Sequence, residues 1–151
     1  MQDDQLIIRD GEPADIFALA DLMNELGYKT TADEMKMRFE PIHNHHDYKT
    51  LVALIDKTIV GMAGLSRNYS YEQNGTYVRV GALVTSTRFR QRGVGKHLME
   101  AAENWARDIG SKKVLLNCGN RDERIVAQNF YKKIGYEVKS SGFVKELTST
   151  Q

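Results

Sequence analysis

The stretch Arg88-Phe89-Arg90-Gln91-Arg92-Gly93-Val94-Gly95-Lys96 joins a strand-like run, Tyr77 to Thr85, to a helical segment that reaches Ile109. A basic, glycine-rich turn at such a junction aims several free backbone N–H groups and the positive end of the helix dipole at one anion. The chemistry it suits is the holding of a pyrophosphate. Two familiar phosphate loops do not fit. The dinucleotide fingerprint wants a third glycine where this chain has Leu98, and the nucleoside-triphosphate loop wants Gly-Lys-Ser/Thr where it has Gly95-Lys96-His97. Arg88, Arg90, Arg92 and Lys96 set cations at a helix start, where they oppose the dipole unless an anion fills the gap. The alternative is a solvated tight turn.

A second pattern lies in the C-terminal third. Ala127-Gln128-Asn129-Phe130-Tyr131-Lys132-Lys133-Ile134-Gly135-Tyr136 reads as a helix that carries Phe-Tyr, stops at glycine and leads into a strand. Taken in order, Arg90-x-x-Gly93-x-Gly95 after a strand and Phe130-Tyr131 before Gly135 resemble the two signatures of the GCN5-related N-acetyltransferase superfamily. Arg124, Phe143-x-Lys145-x-Leu147 and Leu26-Gly27-Tyr28 match recurrent subfamily patterns. The likeness runs from about residue 6 to residue 147.

The resemblance implies acetyl-CoA as cosubstrate. Its pyrophosphate falls to Arg90, Gln91, Arg92, Gly93, Val94, Gly95 and Lys96, and its pantetheine arm to the backbone of Leu83, Val84 and Thr85, met like an added strand. Asn117, Arg124 and Tyr131 complete the implied coenzyme contacts. Tyr131 falls on the family's general-acid position; a phenol stays protonated at neutral pH and can donate to a departing thiolate, whereas Phe130 reads as core. The implied acceptor pocket draws on Tyr28, Tyr69 and Tyr71. Two departures stand out. Many relatives carry a glutamate where this chain has Ala82, so the amine's proton must leave by water to Glu72, Glu25, Asp47 or one of His43, His45 and His46. Arg124 replaces a common asparagine, and binds phosphate, binds an acid group of the substrate, or pairs with Asp122 or Glu123.

Composition narrows the classes. A chain of 151 residues with 41% hydrophobic content suits one domain spanning 1–151. Lys plus Arg is 21 and Asp plus Glu is 20, a balance that argues against nucleic acid as a partner. The apolar run Leu51 to Ile55 is far too short to span a bilayer, and the acidic N-terminus lacks a leader's apolar region, so no membrane partner is expected. A single cysteine, Cys118, suits a reducing cytoplasm and reads as a small hydrophobe. The histidines from His43 to His46 suggest a metal only weakly, for no further ligand stands at a diagnostic spacing, and no metal is assigned.

Elements able to position these residues follow from periodicity. Leu6 to Arg9 reads as a strand. A helix from Pro13 to Leu26 stops at Gly27, and a capping box at Thr31-Ala32-Asp33-Glu34 opens a helix through Phe39 that should end before Pro41. Leu51–Ile55 and Ile59–Leu65 form a hairpin about Asp56-Lys57-Thr58. Val78, Val80, Ala82 and Val84 should share one face of the next strand. The following helix should bury Val94, Leu98, Ala101, Trp105 and Ile109. Lys113–Cys118 is a strand, Asp122–Ile134 a helix, and Tyr136–Val138 with Gly142–Leu147 should close the sheet.

The fold class is α/β. The resemblance adds a mixed, mostly antiparallel central sheet flanked by helices, with two parallel strands splaying apart to form the acyl-CoA cleft. The expected activity is transfer of acetyl from acetyl-CoA to a primary amine, of a small molecule rather than a protein, by direct attack in a ternary complex. A homodimer is compatible with it. The rival from another class is a coenzyme-A-binding module without turnover.

Overall fold

The computed structural model describes residues 5–118, 125–140 and 142–147. The chain forms two compact units, Met1–Leu116 and Asn117–Gln151.

In the first unit, five strands lie in the order of the chain: β1 (Leu6–Asp10), β2 (Tyr48–Ile55), β3 (Thr58–Tyr69), β4 (Thr76–Thr85) and β5 (Val114–Leu116). Every neighbouring pair is antiparallel except β4 and β5, which run parallel. The β2–β3 hairpin closes in a two-residue turn, with Asp56 and Lys57 both at positive φ, the geometry whose twist matches that of the strands. Thr58 therefore pairs with Ile55 instead of sitting in the turn.

A short 3-10 turn, Pro13–Asp15, leads into α1 (Ile16–Leu26). Asp15 fixes the entry: it takes Arg9 Nη1 and Nη2 at 2.8 and 3.0 Å and the Glu12 N–H at 2.8 Å. Helix α2 (Ala32–His43) opens with the expected reciprocal cap between Thr31 and Glu34. It does not end before Pro41. A proline removes one helical N–H, but the turn around it holds, with Asn44 N–H reaching Glu40 O at 3.1 Å and Phe39 anchored in the core.

Leu19, Ala20 and Leu22 of α1 and Met35 and Phe39 of α2 pack on Val52, Met62 and Val84, one face of the sheet. Burying side chains of this size is worth about 1.5–3 kcal/mol each. Helix α3 (Val94–Asp108) covers the other face. Its closeness depends on Gly61, where a Cβ would stand 2.8 Å from Val94 Cγ1 and 3.1 Å from Leu98 Cδ1. The buried stripe of α3 is Val94, Leu98, Met99, Ala102 and Ala106, with Ala101, Trp105 and Ile109 only half-buried. The expected and observed stripes share Val94 and Leu98 and then part by one residue, because the small Ala102 and Ala106, rather than Trp105, sit where helix and sheet approach.

The expected common face of β4 is also corrected. Gly64 pairs with Ala82 and Leu65 with Val80, so Gly81 is an extra, bulged residue. Val84 faces Met62 and the α1–α2 layer, and Ala82 packs with it, whereas Val80 opposite Leu65 and Val78 opposite Arg67 point the other way.

In the second unit, α4 (Ile125–Lys133) ends as expected at Gly135, φ 103°, with Gly135 N–H to Lys132 O at 3.1 Å and Tyr136 N–H to Tyr131 O at 2.9 Å. The expected helix start at Asp122 lies outside the described residues. Tyr136–Val138 and Gly142–Leu147 carry no strand; Val138, Phe143, Val144 and Leu147 are exposed. Apolar residues make a strand only when a ladder partner takes their backbone groups. Among the described residues, no helix is long and apolar enough to cross a membrane.

Candidate functional site

The β4–β5 ladder ends at Val80 opposite Leu116, and among the described residues β4 runs on through Gly81–Thr85 with β3 as its strand partner. β5 itself stops at Leu116, short of the expected Cys118. The next residue, Ser86, gives its N–H to Val60 O on β3 at 2.7 Å. By strand alternation the backbone groups of Val84 also face β3, and those of Leu83 and Thr85 face the open edge. Leu83 and Thr85 can thus meet an extended ligand arm as a strand would. Val84 contributes a buried side chain beneath it.

Past a 3-10 turn at Thr87–Phe89 the chain reaches the basic turn. Gln91 and Gly93 both adopt positive φ, 65° and 79°. Gly93 caps α3, and among the described residues no side chain accepts from the first-turn N–H groups. Arg88, Arg90, Gln91, Arg92 and Lys96 are exposed around them, and the Arg88 and Arg92 guanidinium carbons stand 5.9 and 5.5 Å from the Phe89 ring centre. Among the described residues, helix-start amides without a side-chain cap lie beside four exposed cations, with no acidic residue in the first turn, an arrangement whose charge and donors suit an anion.

His97 is a part of this turn that its sequence context did not single out. Its backbone N–H reaches Gly93 O at 3.0 Å and its Nδ1 stands 2.6 Å from the same oxygen. A carbonyl only accepts, so Nδ1 carries the proton. A Cβ on Gly93 would lie 3.3 Å from that Nδ1. The spacing Gly-x-x-x-His at a helix start was the available signal.

The proposed acceptor residues separate. Tyr28, 59% exposed, follows the end of α1, three residues after Glu25, whose Oε1 accepts from Thr87 N–H at 2.9 Å and Thr87 Oγ1 at 3.0 Å. Tyr28 thus belongs to the Thr85 end of β4. Tyr69 pairs with Thr76, at the opposite end of β4, and Tyr71 sits in the connection that follows; both are exposed.

The carboxylates offered as proton acceptors separate in the same way. Glu25 is at the Thr85 end, but the Thr87 backbone N–H, above all, holds its carboxyl below the usual range. Asp47 is bound to Arg67, Nε to Oδ1 at 2.8 Å, which lowers its carboxyl too, and Arg67 stands opposite Val78. Glu72 turns back on Ser70, its N–H reaching Ser70 Oγ at 3.2 Å. His43, His45 and His46 border a groove of about 300 Å³ beside Asp10 and Lys49. Among the described residues no three His, Cys, Asp or Glu side chains are set to share a metal ion.

In the second unit, Tyr131 is half-buried, its ring 5.3 Å from Phe130 and 6.3 Å from Tyr136, both edge-on. Asn117 is exposed. Arg124 lies outside the described residues.

Comparison with known proteins agrees with this geometry. The chain is 30% identical over 128 residues to the uncharacterized N-acetyltransferase YhdJ of Bacillus subtilis, across 83% of this chain and 87% of that one. It is similar to the crystal structure of a GNAT family acetyltransferase from Staphylococcus aureus, at 32% identity and a TM-score of 0.81, covering 94% and 98% of the two chains. It shares the fold of the aminoglycoside N-acetyltransferase AAC(6')-Iy, solved in complex with CoA, at 19% identity and a TM-score of 0.84 over 98% of each chain. Residues 16–136, which hold both the basic turn and the Phe130-Tyr131 pair, match the sequence model of the acetyltransferase (GNAT) family, and the chain belongs to that family.

Proposed function

We propose that this GNAT acetyltransferase moves an acetyl group from acetyl-CoA to the primary amine of a small molecule, by direct attack in a ternary complex. The observation that carries the reading is the left-handed Gly93 cap, uncapped by any side chain, at the end of a strand whose last residues turn backbone groups to an open edge. These features fit the coenzyme: a pyrophosphate for the amides and cations from Arg90 to Lys96, and an amide-bearing arm for Leu83 and Thr85.

Acetyl-CoA supplies the acetyl group as a thioester, so the amine nitrogen gains the carbonyl carbon as the C–S bond breaks. The protein's share is positional. An outward N–H on the Leu83–Thr85 edge donates to the carbonyl oxygen, where a preorganised donor is worth about 3–4 kcal/mol in comparable sites. The Tyr131 hydroxyl holds the proton that the thiolate takes, and Asn117 and Arg124 are assigned to the coenzyme on the family pattern. Ala82 leaves the bulge without a carboxylate, so the amine's proton departs through water. Tyr28 borders the acceptor on the α1–α2 side, with Tyr69 and Tyr71 reached only by a long acceptor.

A small-molecule acceptor is favoured because AAC(6')-Iy, named for aminoglycosides, shares the fold. Calorimetry with coenzyme A followed by a thiol-release assay over amines and amine-bearing peptides tests the whole reading. Binding with amine-dependent thiol release from small amines supports it. Release with peptides alone shifts the acceptor to protein, binding without release leaves a coenzyme module, and no binding refutes the cradle.

A further inference from the structure

The last turn of α1 fastens two loops at once. Asn24 reaches forward: its Nδ2 donates to Ala20 O at 2.9 Å and Thr30 O at 2.8 Å, and its Oδ1 accepts from Thr30 N–H at 2.8 Å. Thr30 is buried, accepts from Arg38 Nη1 at 3.0 Å, and donates from Oγ1 to Tyr28 O at 2.6 Å. These bonds give the loop from Gly27 to Thr31 one shape. Glu25, the next residue, turns the other way and takes both Thr87 donors on one oxygen, across 62 positions of chain. Thr87 follows Ser86, itself buried and bonded to Val60 on β3. The connector between β4 and the basic turn is therefore held from β3 on one side and from α1 on the other.

We propose that Glu25 is a positioning residue for acetyl transfer: through Thr87 it registers the coenzyme-holding end of β4 against the acceptor-side loop Gly27–Thr31. The inference rests on the acyltransferase reading above. The alternative role, general base, fits the geometry poorly, because a carboxylate that already accepts two hydrogen bonds and lies near Arg88 has little affinity for a further proton. Glutamine keeps an accepting oxygen at the same reach, whereas alanine keeps nothing.

The test compares Glu25→Ala and Glu25→Gln in the full chain by three readouts: hydrogen exchange at the Thr87 amide without ligand, calorimetric affinity for coenzyme A, and kcat and KM for both substrates across pH. Alanine should speed Thr87 exchange by about tenfold and raise both KM values by about three- to tenfold, the loss of the two Thr87 hydrogen bonds at an exposed site. Glutamine should restore most of both, and neither variant should move the acid limb of the pH profile. The proposal is overturned if glutamine is as defective as alanine and the acid limb disappears, for Glu25 is then the base. It is overturned equally if alanine leaves Thr87 exchange unchanged, or speeds exchange while leaving both KM values alone. Failure of the parent to bind coenzyme A strikes the acyltransferase reading itself, and that result is seen before any variant is made.

Discussion

Gly93→Ala is the sharpest test of the cradle, because two separate effects meet at one atom. The residue sits at φ 79° and ψ 9°, a left-handed conformation that costs a residue with a Cβ about 1–2 kcal/mol. The new Cβ would also stand 3.3 Å from His97 Nδ1 and 3.4 Å from Cε1, so the ring must yield by a few tenths of an ångström. Part of the strain is offset because alanine stiffens the unfolded chain by about 0.4–1 kcal/mol. The net loss of about 1 kcal/mol lowers Tm by about 2–4 °C at this chain length. Binding should suffer more. If the 93–94 peptide turns to relieve the strain, at least one amide loses its aim at the anion, and a hydrogen bond to a charged group is worth about 1.5–3 kcal/mol, a tenfold or greater rise in Kd. Calorimetry with coenzyme A and a thermal melt on the same preparation measure both. Gly93→Asn separates the causes, since asparagine tolerates the left-handed region: it should fall between parent and alanine in stability. A Gly93→Ala protein with the parent's Tm and the parent's Kd would refute the argument that the left-handed cap shapes the site.

Gly61→Ala places its Cβ 2.8 Å from Val94 Cγ1 and 2.9 Å from Val84 O, so α3 must shift; stability should fall by about 1–3 kcal/mol in a denaturant titration, and coenzyme affinity with it. Asp15→Asn should destabilise the fold by about 1–3 kcal/mol at neutral pH, since it leaves Arg9 with a neutral partner. The Arg9 bond lowers the Asp15 carboxyl, so its contribution is complete above the ordinary carboxylate range and is lost as pH falls through the depressed folded value; melts of parent and variant should converge in acid. Tyr131→Phe keeps the ring and removes the hydroxyl, and single-turnover acetyl transfer should slow by about 100- to 10,000-fold with coenzyme affinity retained. Transfer at the parent's rate would make Tyr131 a packing residue and leave thiolate protonation to water.

The order of elements was legible because the punctuation is local. Gly27 and Gly135 stop helices through bonds to residues a few positions back, Thr31 and Glu34 cap each other, and Asp56-Lys57 turns the hairpin within two residues. What was not legible depends on a partner far along the chain. Pro41 reads as a helix stop until Phe39 is seen locked in the core. Alternation along β4 predicts one face for Val78 through Val84 until the ladder with β3 shows that Gly81 is bulged. Tyr136–Val138 and Gly142–Leu147 were expected to close the sheet, yet among the described residues no ladder takes them.

The site divides along the same line. The proposed anion cradle consists of consecutive backbone amides and side chains a turn apart, so its geometry is local to Arg90 through Lys96. The proton acceptor could not, because a list of acids gives no positions: Glu72, Asp47 and Glu25 were equivalent by spacing and are far from equivalent in space. Asp47 and Glu72 belong to the Thr76 end of β4, and the carboxylate at the right end is already committed to Thr87. The bulge sharpens this point. Gly81 is the extra residue and Ala82 packs beside Val84 on the α1–α2 face, so a glutamate at 82 would stand on that face of β4. On the proposed reading, with no carboxylate at 82 the amine loses its proton to water, and the rate should rise with pH toward the amine's own pKa, with no earlier limb from a side chain; an earlier limb would refute this.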